Sequence, residues 1–319
     1  MKYKSIRYFL AAIQLLICLS QGIAQPFSIP ANSKHAEAVK NGGIYVIMND
    51  KESTEAQKYI KDIQNIWKAS KIEFITYKEL GNYTQQGNYF LSFWAGETNY
   101  NMPGGGGTTS VTGVKHGLSI WTFRDSYLKS NKFKSFTEKD YIFWLDRYSE
   151  VLANIPLCVS KKLFSSQLET YKMDFSGNGL IYNWGEGIFL NYIKYLQNSF
   201  NTTVPALPSP QKLKKDTLYI PAIATVDYGI GMKPKQEPVT AEMLKEYRFP
   251  YKIISLDELN AKLLKEGRDF NYLAFYIGAV EVLNSKNAGV LYSSRNFKQK
   301  SSTDVQKHFE WLNEAVEGK

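Results

Sequence analysis

Cysteine is almost absent from this chain: only Cys18 and Cys158 occur in 319 residues. That excludes a disulfide framework and the small stapled folds that depend on one. Histidine is as scarce, and His35, His116 and His308 stand far apart with no metal-ligand spacing, so neither a metal site nor a cofactor is expected. The usual catalytic signatures are missing too. There is no G-x-S-x-G elbow, no H-E-x-x-H pair, no C-x-x-C and no phosphate loop ending in Lys-Ser or Lys-Thr. Beyond the N-terminal segment no run is long and apolar enough to span a bilayer, so no transmembrane segment is expected.

That N-terminal segment carries Lys2, Lys4 and Arg7, an apolar run from Phe9 to Leu19 and a small-residue end at Gly22-Ile23-Ala24. It reads as an export signal cleaved after Ala24, which puts the mature chain in a periplasm or outside the cell. Lipidation at Cys18 is disfavoured, because Leu16-Ile17 precede it where lipoprotein signals have small residues. Loss of the signal removes three of the 39 basic residues and leaves 36 against 30 acidic ones. The excess is mild and, apart from Lys212, Lys214 and Lys215, the charges are mixed, so no nucleic-acid partner is expected. Cys158 then remains alone after Ile155-Pro156-Leu157, an apolar setting for an inert thiol. Stability must come from a packed core. A hydrophobic content of 44% supplies it, as two units in a chain expected to be monomeric.

The chain repeats itself. Asn88-Tyr89-Phe90-Leu91-Ser92-Phe93-Trp94-Ala95-Gly96 resurfaces as Asn271-Tyr272-Leu273-Ala274-Phe275-Tyr276-Ile277-Gly278. Before each comes an extended run that breaks into an acidic helix start, Phe74 to Leu80 and Ile253 to Leu259. After each comes a fourth strand, Gly117-Leu118-Ser119-Ile120 and Gly289-Val290-Leu291-Tyr292, followed by an arginine, Arg124 or Arg295. Each copy closes with a helix, around Trp144 and around Trp311. Five matched blocks in one order point to an internal duplication of a βαβ-ββα unit, an α/β fold with mixed sheets covered by helices.

The expected organisation is a flexible lead-in at 25–42, a first repeat at 43–153, a helical connector with a proline-rich linker at 154–214, and a second repeat at 215–319. In the first repeat, Ile44 to Met48 and Ile72 to Tyr77 are strands. They flank a helix capped by Ser53, with Ala56, Tyr59, Ile60, Ile63, Ile66 and Trp67 on one face. Tyr89 to Trp94 is a central strand, and Met102 to Thr109, with four successive glycines, is a mobile loop. A long closing helix is expected from Thr137 to Ile155, and the connector holds helices near Lys161–Lys172 and Glu186–Asn198.

Five residues stand out as ligand contacts. Trp184 and Glu186 lie in Tyr182-Asn183-Trp184-Gly185-Glu186-Gly187, where a ring and an acid on glycine-flexed backbone at a helix start suit a glycan or a peptide. The structural alternative is that Glu186 favours the helix N-terminus while Trp184 packs as a staple. Arg124 and Arg295 recur in the two copies and either clamp an anion between them or pair within their own units. His116 stands at the mouth of a strand. Three functions follow: an exported non-catalytic binding or envelope-associated protein with a cleft between the repeats, a surface-glycan hydrolase using Asp174 and Glu186, or a structural interaction module.

Overall fold

The computed structural model describes residues 33–104, 107–128, 145, 147–164, 167–201, 209–226, 235–265, 267, 269–276, 279–295 and 302–318. The expected export signal, the glycine pair at 105–106, most of the proline-rich linker and the first half of the expected closing helix lie outside these residues.

The elements of the first part are α1 (Ser33–Gly42), β1 (Ile44–Met48), α2 (Thr54–Ile66), β2 (Ile72–Thr76), β3 (Tyr89–Gly104), β4 (Gly107–Phe123), α3 (Asp125–Leu128) and β5 (Ser149–Pro156). The connector contributes α4 (Lys161–Phe164), α5 (Gln167–Tyr171) and α6 (Glu186–Asn201). The last part holds β6 (Leu218–Pro221), β7 (Ile223–Val226), β8 (Lys235–Pro238), α7 (Ala241–Leu244), β9 (Tyr251–Ile254), α8 (Leu256–Leu264), β10 (Asn271–Tyr276), β11 (Ala279–Asn284), β12 (Val290–Arg295) and α9 (Ser302–Glu317).

The fold is mixed α/β, with two five-stranded mixed sheets in the orders β2-β1-β3-β4-β5 and β9-β6-β10-β11-β12. In the first, β1 is parallel to β2 and β3 while β4 runs antiparallel to β3 and β5. In the second, β6 is parallel to β9 and β10 while β11 runs antiparallel to β10 and β12. Strand order and direction therefore coincide between the sheets. Central strand β10 and the Tyr89–Ala95 part of β3 are largely apolar on both faces because both faces are covered.

The sheets differ in which crossover faces inward. In the first sheet it is α2, joining β1 to β2; in the second it is α8, joining β9 to β10. Both pack against α6, which lies between the sheets with Ile188, Phe189, Tyr192, Ile193, Tyr195 and Leu196 buried. One continuous core thus joins Leu91 and Phe93 of the first sheet to Tyr272 and Tyr276 of the second through α6. Ile47, Phe90 and Trp121 make a separate core on the outer face of the first sheet. Val305, Phe309, Leu312 and Val316 of α9 make another on the outer face of the second.

Local chemistry explains most boundaries. Ser53 Oγ accepts from Ala56 N to start α2, and Ser255 and Glu258 form a reciprocal capping box on α8. Residues 33–42 do not act as a lead-in without structure: α1 packs on α6 with Val39 fully buried. Gly43 ends it at φ +92°, where a Cβ would lie 2.9 Å from the Lys71 carbonyl oxygen.

Three further expectations are corrected. Residues 149–156 are strand β5, paired to β4, and not the second half of a helix. Met102–Gly104 and Gly107–Thr109 continue the β3–β4 hairpin as a paired two-stranded ribbon and do not form a loop insert. The fourth-strand match also fails: residues 117–120 lie in β4, whereas 290–292 lie in β12, which occupies the edge position that β5 holds in the other sheet. Arg124 follows β4 and Arg295 ends β12, so the two arginines do not occupy equivalent places.

Candidate functional site

A groove of about 360 Å³ opens where α2, α6 and α8 meet the turn between β11 and β12. Asp62, Asn65 and Ile66 line it from α2, Glu186, Leu190, Asn191 and Lys194 from α6, and Lys262, Leu263 and Leu264 from α8. Lys265, Ser285 and Lys286 complete the wall. The helices approach closely because glycine stands at their crossing. A Cβ on Gly187 would lie 2.6 Å from the Asn260 carbonyl oxygen, and one on Gly185 would lie 2.2 Å from Asn260 Nδ2. Asn260 Oδ1 accepts from Ile188 N at 3.1 Å, satisfying a first-turn donor of α6 from α8. At the far end Gln197 Oε1 accepts from Lys68 N and from Ala69 N, the latter at 3.2 Å, tying α6 to the end of α2.

The groove carries charges of both signs. Lys58 Nζ donates to Glu186 Oε2 at 2.5 Å, and the Asp62 carboxyl feels the Glu186 charge. Burial, then the Glu186 charge, raise the Asp62 carboxyl above its ordinary range against the opposing pull of Lys58. The hydrogen bond to Glu186 raises Lys58. Lys194, Lys262, Lys265 and Lys286 also line it. Lys262 lies over the rings of Tyr219 and Phe270, at 4.5 and 5.3 Å from their centroids. Lys194 is half-buried, and desolvation lowers its pKa from 10.5. Among the described residues its ammonium makes no hydrogen bond or ion pair.

Of the described residues singled out from sequence, Glu186 alone lines this groove. Trp184 does not offer its ring to solvent. It is 7% exposed, its Nε1 donates to the Phe175 carbonyl at 2.9 Å, and Phe93, Phe189 and Tyr192 surround it. Gly177, at φ +75°, leaves the space, since a Cβ there would be 2.8 Å from Trp184 Cδ1. The glycine-bounded turn thus buries the ring. His116 is buried beneath α5, its Nδ1 2.8 Å from Thr170 Oγ1. Arg124 Nε donates to the Ser149 carbonyl at 2.9 Å, fastening the start of β5. The Arg295 side chain lies outside the described residues. Asp174 accepts from Ser176 N at 2.9 Å and from Ser176 Oγ, closing a local turn.

Sequence reasoning missed Lys58, Asp62, Asn191 and Lys194. Only the α6 pair left a signal: Glu186, Asn191 and Lys194 are the charged or amide residues in the otherwise apolar stretch of α6 up to Leu196. Among the described residues no group of three metal-ligating side chains converges, and no helix is long and apolar enough to cross a membrane. Comparison with family models, with curated proteins and with solved structures finds no match.

Proposed function

We propose that the chain is an exported, monomeric, non-catalytic ligand-binding protein whose site is the groove between two copies of one α/β unit. The duplication is supported by the coincident order and direction of strands in the two sheets, together with the sequence matches that fall on β3 and β10 and on β2 and β9. The observation that carries the function is the origin of the walls: one helix from each sheet's crossovers and the connector helix enclose a single concave space. Its volume is in the range that small ligands fill. Binding is favoured over glycoside hydrolysis because Asp174, the carboxyl expected to partner Glu186, is not among the groove-lining residues and accepts from Ser176 N in a local turn.

A thermal-shift panel of neutral sugars, uronic acids, amino acids and dipeptides tests this reading, run on the wild type and on Asn65→Trp. Asn65 is exposed on the groove wall, so the added ring occupies the space without entering the core. A ligand that stabilises the wild type and not Asn65→Trp is the expected result. Stabilisation that survives the substitution places binding elsewhere and overturns the reading.

A further inference from the structure

We propose that the groove takes a small anionic ligand, one carrying a carboxylate, sulfate or phosphate, with Lys194 as the cation that holds it. The inference rests on the groove being a ligand site, and it adds the chemistry of the ligand.

The first observation is the state of Lys194. Lys194 is half-buried in the groove wall, burial disfavours its charged form, and among the described residues its ammonium has no hydrogen-bond or ion-pair partner, whereas buried charges are ordinarily paired. Glu186 cannot serve. It is engaged by Lys58, and it lies eight residues earlier on α6, a rise of about 12 Å at helical pitch. Asp62 shares that same distant end. An anion entering the groove supplies the missing partner.

The second observation is convergence. Lys194 comes from α6, Lys262 and Lys265 from α8 and the residue that follows it, and Lys286 from the β11–β12 turn. Three separate segments thus line one concavity with lysines, which favours anions there.

The third is the lining. None of the described lining residues is aromatic, so the ring stacking by which neutral sugars are held has no platform here. Leu190 and Leu263 offer aliphatic surface instead. Asn191, one turn before Lys194, donates from Nδ2 to Tyr272 Oη at 2.8 Å, while its buried Oδ1 has no hydrogen-bond partner among the described residues.

Isothermal titration of the purified chain at low ionic strength tests the proposal, with glucuronate, glucose 6-phosphate and inorganic phosphate as probes and glucose as the uncharged control. The expected result is saturable binding of a charged probe, with glucose at least about tenfold weaker and affinity falling as salt is added. Lys194→Met is expected to weaken the charged probe at least about tenfold with the melting temperature unchanged or higher, and Lys194→Arg to restore most of the binding. Glucose binding as well as glucuronate overturns the anion assignment, and if Asn65→Trp abolishes that binding the groove reading survives. Anion binding that Lys194→Met leaves intact, or no saturable binding by any charged probe, overturns the assignment. Anion binding that both Lys194→Met and Asn65→Trp leave intact moves the site off the groove and overturns both readings.

Discussion

Gly187 of α6 and Asn260 of α8 meet so closely that a Cβ at position 187 would stand 2.6 Å from the Asn260 carbonyl oxygen and 2.8 Å from Leu263 Cβ. That contact sets the distance between two walls of the groove. Backbone, not a side-chain tip, is in the way, so the helices must part to admit a methyl group. Gly187→Ala is expected to cost about 1–3 kcal/mol in urea denaturation while the far-ultraviolet dichroism stays native. A variant as stable as the wild type would show that the crossing is loose.

Trp184→Ala is expected to cost about 3 kcal/mol or more, because a large buried ring and its hydrogen bond to Phe175 are both lost. Thermal and chemical denaturation check it. An unchanged melting temperature would mean that the ring is offered to solvent after all.

Lys194 yields a pH-dependent prediction whose sign follows from its lowered pKa. The folded chain releases this proton before the unfolded chain does, so the lysine opposes folding while both states are charged. The penalty fades as pH rises from the lowered value through 10.5. Lys194→Met is therefore expected to raise the melting temperature by about 1–3 °C at pH 7, with the advantage shrinking toward zero by pH 11. A loss of stability at pH 7 would mean that the ammonium has a stabilising partner.

Asp62 shifts the other way in proton affinity. Its raised pKa means that the folded chain holds this proton more tightly than the unfolded chain, so stability falls as pH climbs from 3.8 through the raised value. Asp62→Asn is expected to match the wild type at pH 3 and to be as stable or more stable at pH 7. A melting temperature lower at pH 7 by about 3 °C or more would show that Lys58 stabilises both carboxylates rather than Glu186 alone.

How far the chain was legible depends on whether a feature is local. The cap at Ser53 was readable because it needs only a hydroxyl and an N–H three residues on. The strands at Ile44–Met48 and Asn271–Tyr276 and the helix starting at Glu186 were readable for the same reason. Strand β5 was not. Leu152, Ala153 and Ile155 are all buried, so the two-residue alternation that marks a half-exposed strand is missing and Tyr148, Val151, Leu152 and Ile155 imitate a helical stripe. Trp184 was misread because glycine neighbours permit burial as readily as exposure, and Gly177 supplied the space from seven residues away. The groove itself was illegible. Asp62, Lys194, Lys262 and Lys286 belong to four segments, and only the packing of α2 and α8 on α6 brings them together.

The most direct test of the groove as the binding site is a methyl nuclear-magnetic-resonance titration with the ligand that best stabilises the chain. The account predicts saturable shifts at Ile66, Leu190 and Leu263, which line the groove, and none at Ile47 or Val305, which belong to the outer cores. Shifts centred on either outer core, or saturation without any change at Leu190 and Leu263, would contradict it.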